Sequence, residues 1–179
     1  MRKVVLNLAI SLDGYICDND GGFDWIGGHG DSNLDTIETD NFDTFLESVD
    51  TVVMGSIAYE DCVLTGLATF DDKQIIVATT RKLESRKNVR FINKDISSEI
   101  LKLKNQEGKD LFIFGGAGLV ENLMNADIID KFIVGIIPTL LGKGRSLFKG
   151  TYNEIKLHLD RITVSDGITI LTYSKRKQT

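Results

Sequence analysis

Four apolar runs in this 179-residue chain stop at clusters of glycine, hydroxyl and charged residues. The clusters are SLDGYI (Ser11–Ile16), MGSIAYE (Met54–Glu60), TTRK (Thr79–Lys82) and GGAGL (Gly115–Leu119). Such residues suit one chemistry in particular. Backbone N–H and hydroxyl groups at the start of a helix hydrogen-bond phosphate oxygens, and the helix dipole favours the anion. The fourth cluster lies within FIFGGAGLVENLM, an apolar run that breaks into glycines and resumes as an apolar helix. Glycine is costly inside regular structure and serves where backbone turns sharply or approaches something closely. The spacing is not GxGxxG, and no acidic residue follows where a ribose would be read. Alone, the stretch is a strand-to-helix turn or a phosphate cradle. Aligned with the other exits, it favours a dinucleotide site.

Other reactive side chains are fewer. Asp13 in SLDG either serves a site at its strand exit or caps the Gly14 bend. Trp25 and Phe23 sit in a glycine-rich stretch, as loop anchors or as groups that stack on a substrate. His29 and His158 have no partners at metal-ligand spacing, so no metal is expected. Cys17 and Cys62 form no CxxC and no zinc spacing, which points to a reducing compartment.

Composition narrows the class. Lys and Arg total 21 against 26 Asp and Glu, a formal charge of −5, which argues against a nucleic-acid or anionic-membrane surface. MRKVVLNLAI is basic then apolar, but too short for a signal peptide, and Asp13 interrupts it. No run approaches the ~20 apolar residues of a membrane span. A cytoplasmic protein forming a single domain over 1–179 is expected.

The elements that must position these exits follow from the apolar pattern. Continuous β-branched runs predict buried strands at Lys3–Ile10, Thr51–Met54, Gln74–Ala78, Val89–Ile92, Leu111–Phe114 and Lys131–Ile137. Helical spacing predicts helices over Leu34–Val49, from Gly55-Ser56 through Val63, over Ile96–Leu103, and after the glycines to about Met124. Ser11–Gly30 reads as one long ordered loop. Alternation over Ile155–Ile162 and the Asp166-Gly167 turn predict a hairpin returning through Ile168–Tyr173. The class is α/β: a three-layer fold with a central, mostly parallel sheet, an antiparallel C-terminal hairpin, and helices on both faces. In such sheets ligands bind at the carboxyl ends of the strands, where all four clusters lie.

Five segments together resemble the dihydrofolate reductase superfamily, and more closely the reductase domain of riboflavin biosynthesis. They are ISLDGYI, DWI (Asp24–Ile26), VVMGSIAYE, FIFGGAGLVENLM and IIPTLLGKGRSLF (Ile136–Phe148), in order across essentially the whole chain. The resemblance implies a stand-alone NADPH-dependent reductase. Its substrate would be a pyrimidine- or pterin-like heterocycle, most like that of 5-amino-6-(5-phosphoribosylamino)uracil reductase. The rivals are dihydrofolate reduction and a nucleotide-binding module without turnover.

Carried over by position, the resemblance implies a cis peptide between Gly115 and Gly116 that touches the cofactor diphosphate, with Ala117, Gly118 and Leu119 opening the helix behind. The nicotinamide would lie near Ala9 and Ile10. Gly14, Gly55, Ser56, Thr79 and Thr80 would complete the cofactor site. Ser56 stands where the family places an arginine near the 2′-phosphate, and Arg81 would supply the missing charge. The family's proton donor is a carboxylate on the first helix, for which Asp35, Asp40 and Asp43 qualify. Asp40 and Asp13 are the catalytic candidates, and Trp25 is the substrate-stacking one. Family members pair through their C-terminal region, so a homodimer is expected.

Overall fold

A computed structural model describes residues 1–65, 67–85, 87–150 and 152–176. Its main sheet has eight strands in the order β5-β4-β3-β6-β1-β7-β10-β9. The parallel strands are β1 (Val4–Ser11), β3 (Val49–Gly55), β4 (Gln74–Ala78), β5 (Val89–Ile92), β6 (Asp110–Gly115) and β7 (Lys131–Ile137). The hairpin of β9 (Leu157–Ser165) and β10 (Ile168–Lys175) adds the antiparallel end. A short ribbon of β2 (Tyr15–Cys17) and β8 (Arg145–Ser146) stands apart. This is the mostly parallel α/β architecture expected.

Two unequal cores cover the sheet. On one face α3 (Ile96–Lys104) and α4 (Ala117–Asn125) bury Ile100, Leu119, Val120 and Leu123 against Val4, Leu6, Val53, Ile113 and Val134. On the other, α1 (Phe42–Glu47) and α2 (Ser56–Thr65) pack Leu46 and Tyr59 against Val52, Met54, Val77 and Phe112. That second core involves β3, β4, β5 and β6. It leaves the same face of β1, β7 and β10 without helical cover, because α1 has only six residues.

The short α1 corrects the expected helix over Leu34–Val49. Leu34 and Ile37 are exposed, and residues 35 and 36 are bonded to the hairpin. The Thr36 N–H donates to the Val164 carbonyl at 2.9 Å, and the Val164 N–H donates to Thr36 Oγ1 at 3.1 Å. The Asp166 N–H donates to the Asp35 carboxylate at 2.7 Å. Asn41 then caps α1 by accepting from the Thr44 N–H at 3.0 Å.

The expected long loop is also partly built. Tyr15–Cys17 pairs with β8, and Asp24–Ile26 forms a 3₁₀ turn. Gly144 permits that pairing, since a Cβ there would fall 2.3 Å from the Cys17 carbonyl oxygen. The last strand in sequence is not the sheet edge: β10 lies between β7 and β9, and β9 is outermost. Among the described residues no helix is long and apolar enough to cross a membrane.

Candidate functional site

A cavity of about 1270 Å³ opens at the carboxyl ends of the strands and extends over the uncovered part of the sheet. Its first wall is the β6–α4 turn. Gly115 and Gly116 adopt φ of +140° and +93°, values that L side chains rarely reach. These angles make the turn. No peptide bond among the described residues is cis, which corrects the expected cis Gly115-Gly116 bond. The helix closes its first turn with the Val120 N–H donating to the Gly116 carbonyl at 3.0 Å. The amides of Ala117, Gly118 and Leu119 therefore precede the first intrahelical bond, and all three residues line the cavity.

The β3 exit faces this turn at close range. A Cβ on Gly116 would sit 3.4 Å from the Gly55 Cα, in van der Waals contact, so the two backbones approach closely. Gly55 and Ser56 line the cavity where α2 begins. Thr79 and Thr80 line it at the β4 exit, and Asn93 and Lys94 at the β5 exit. Arg81 is not among the lining residues, and its guanidinium donates to the Glu60 carboxylate. The 2′-phosphate role expected of it has no geometric support here.

Strand alternation divides the first-strand candidates. Ala9 lines the cavity, whereas Ile10 packs into the core beneath α4. Gly14 also lies off the cavity, at φ +88° in a turn whose N–H donates to the Ser11 carbonyl at 2.9 Å. Asp13 is turned to a neighbouring loop. Its carboxylate accepts from the Ser11 hydroxyl at 2.6 Å, the Leu141 N–H at 3.1 Å and the Gly142 N–H at 2.7 Å. The Ser11 bond leads in holding this carboxyl below the usual range, with the two amides adding to it. These bonds tie the turn to the 141–142 loop, and Asp13 is not among the residues that line the cavity.

Asp40 takes the opposite position. It lines the cavity just before α1, accepts from the buried Thr163 hydroxyl, and lies 3.5 Å from the Arg161 guanidinium. Asp40 therefore precedes the first helix instead of lying on it. Register explains the meeting: Ala9, Gly135, Ile170 and Thr163 occupy one row across β1, β7, β10 and β9. Asn7, Ile133, Gly135, Ile168 and Ile170 form the floor beside it. These residues went unread in the sequence, because which strand face stays uncovered depends on pairings far apart in the chain.

Aromatic groups close the side. Phe42 and Phe45 of α1 line the cavity with Phe112 and Phe114, and the Phe45 and Phe112 rings meet edge-on at 4.9 Å between centroids. Phe23 and Ile26 reach in from the loop. Trp25 between them does not, and its indole N–H donates to the Gly22 carbonyl at 3.2 Å as a loop anchor. Cys17 and Cys62 also line the space. Burial first, and Asp61 second, push the Cys62 thiol up, away from a reactive thiolate. No group of three or more His, Cys, Asp or Glu among the described residues is placed to hold a metal ion.

The comparisons agree with this architecture. The RibD C-terminal domain family matches residues 60–171. The uncharacterized protein YwjB of Bacillus subtilis (strain 168) is 39% identical over 163 residues, covering 88% of this chain and 89% of the relative. YyaP of the same organism, also uncharacterized, is 28% identical over 96% of this chain and 94% of its own. Among solved structures, a Shewanella sp. PV-4 protein named for riboflavin biosynthesis superposes with a TM-score of 0.82 at 26% identity, over 99% of this chain and all of that one. Dihydrofolate reductase from Enterococcus faecalis, complexed with NADP(H), superposes with a TM-score of 0.67 at 16% identity, over 98% and 97% of the two chains. That second likeness is one of fold.

Proposed function

Because the chain belongs to the RibD C-terminal domain family and shares its fold with a dihydrofolate reductase, we propose that it is an NADPH-dependent reductase of a planar heterocycle. The observation that carries this reading is the junction of two regions in one cavity. Free helix-start amides and side-chain-free glycines line one end, and an apolar sheet floor with a single carboxylate lies at the other. The residues fit the cofactor, since the amides that open α4 and the bare backbone of Gly55 and Gly116 line the cavity and can face a diphosphate. When bound, a reduced nicotinamide supplies hydride to an electrophilic carbon.

The chain's own residues supply placement and protection. Ala9 and Gly135 are small, so a flat ring can lie against the sheet above them. Phe42, Phe45, Phe23 and Ile26 exclude water from that space. Asp40 is the carboxyl held beside it, and Thr163 and Arg161 fix its direction, so it delivers a proton directly or through one water.

The pyrimidine of 5-amino-6-(5-phosphoribosylamino)uracil fits this reading, with Arg145 and Lys149 at the rim as cations for its phosphate arm. One observation favours a second substrate. Among the described cavity-lining residues of β1, β7, β10 and residues 40–45, Asp40 is the only charged one, which suits an uncharged or amino-bearing pterin better than a phosphate. NADPH oxidation followed by absorbance with each substrate separates the two. Asp40→Asn should lower kcat by about 10²–10⁴-fold with NADPH affinity unchanged. If NADPH binds and no heterocycle is reduced, the chain is a binding module and the reductase reading is lost.

Assembly as a symmetric homodimer belongs to the same proposal. Leu159 and Ile162 are exposed on the outermost strand β9, an edge that a second copy would cover. Light scattering behind size exclusion should give about twice the chain mass of 19.9 kDa. A mass equal to one chain would remove the dimer.

A further inference from the structure

We infer that Lys94, at the carboxyl end of β5, is the cation that selects a 2′-phosphorylated dinucleotide over its unphosphorylated form. The inference rests on the cofactor reading above. Position 56 opens α2 at the cavity wall with a serine, which brings no charge. Arg81, at the neighbouring exit, is committed to Glu60 and lies off the cavity. Lys94 lines the cavity together with Asn93, Thr79 and Thr80.

The β4 and β5 exits are locked side by side. Ala78 is in register with Ile92, and the Thr79 N–H donates to the Ile92 carbonyl at 3.0 Å. Lys94 therefore stands next to the two threonines. Thr79 Oγ1 accepts from the Arg81 N–H at 3.1 Å, which leaves its own hydroxyl proton free to donate. Among the described residues Lys94 has no ion-pair partner within 4.0 Å. The adjacent Asp95 is turned to α3, where it accepts from the Ser97 and Ser98 amides and the Ser98 hydroxyl.

A ribose 2′-phosphate brings up to two negative charges to this corner, and Asp61 of α2 already lines the same cavity. The anion needs a cation to hold it there. An uncommitted ammonium flanked by hydroxyl and amide donors meets that need with charge-assisted hydrogen bonds.

Calorimetric titration of NADPH and NADH into the wild type, Lys94→Gln and Arg81→Gln decides the matter. Both positions are exposed, so both variants keep the fold. The wild type should prefer NADPH. Lys94→Gln should weaken NADPH by about 10- to 100-fold and leave NADH unchanged, while Arg81→Gln should change neither. NADPH affinity in the wild type should fall with added salt more steeply than NADH affinity. The inference is overturned by equal binding of both dinucleotides to the wild type. It is equally overturned if Lys94→Gln keeps the preference, or if Arg81→Gln loses it; in all three cases the cofactor reading survives. Failure of the wild type to bind either dinucleotide overturns the cofactor reading itself.

Discussion

At the amino ends of the parallel strands, charged groups are spent on one another. Buried Arg2 donates to the Lys109 carbonyl, the Asp50 carboxylate and, at 2.8 Å, to Thr51 Oγ1. Asp130 accepts from the Val4 N–H at 2.8 Å and the Lys104 ammonium at 2.6 Å, and Asp110 accepts from the Lys3 N–H at 2.7 Å. At the carboxyl ends the same strands run out into Gly55, Thr79, Asn93 and Gly115, and there the amides that open α4 and the Lys94 ammonium are taken up by no described residue. Polar groups near a core need partners. Where the partners are internal the end is a clasp, and where they are withheld the end can receive a ligand.

Breaking the open end should have the largest effect. Gly116→Val puts a branched side chain at φ +93° and into the gap facing Gly55. NADPH binding should become undetectable by fluorescence titration while far-ultraviolet dichroism still reports a sheet, and unchanged affinity would remove the diphosphate site. Breaking the clasp should do the reverse. Arg2→Ala removes the buried guanidinium from Asp50, which keeps only the Thr51 hydroxyl at 2.7 Å and the Lys109 N–H at 2.8 Å, and should cost about 1–3 kcal/mol of stability. That loss would be read as a lower denaturant midpoint, with the NADPH Kd unaltered. A large change in Kd would mean that the two ends are not independent.

Smaller effects sharpen the contrast. Asn41→Ala removes the cap of α1, which carries Phe42 and Phe45 into the cavity wall, and should cost about 1 kcal/mol in thermal or denaturant unfolding. Asp13 tests the boundary between clamp and catalyst. Its pKa is lowered in the folded protein, so its stabilisation is present above the unfolded value of about 4 and is lost as pH falls through the folded value. Asp13→Asn should therefore be less stable than wild type near neutrality, and the gap should close under acid. If turnover rather than stability follows Asp13, the clamp assignment is wrong.

Local chemistry made some of this readable in the chain itself. QIIVA and KFIVGII, built largely of β-branched residues, correspond to β4 and β7 residue for residue. The glycine exit at 115–116 was likewise plain, since few other residues tolerate such φ values. What stayed hidden depends on partners distant in sequence. Leu34 and Ile37 have helical spacing, yet Thr36 gains more from Val164, 128 residues away. Asp40 was one acidic residue among three near the first helix until β9 brought Thr163 and Arg161 to it. Lys94 carries no local signal, because the Val89–Ile92 strand ends without glycine or hydroxyl residues, and only the β4–β5 register places its exit at the cavity.

The central place of β1 has a consequence in time. VVLNLAIS is synthesised well before its neighbours, which are β6, paired from Leu111, and β7, paired as far as Ile137. At translation speeds of about 5–20 residues per second, it waits roughly 5–20 s for the first of them. During that interval an apolar strand with both edges open is exposed to every other nascent chain nearby. Arg2 and Lys3, set immediately before it, are the charges that keep such a segment from pairing with the wrong strand. The residue that later clasps the folded sheet thus also guards the strand while it waits.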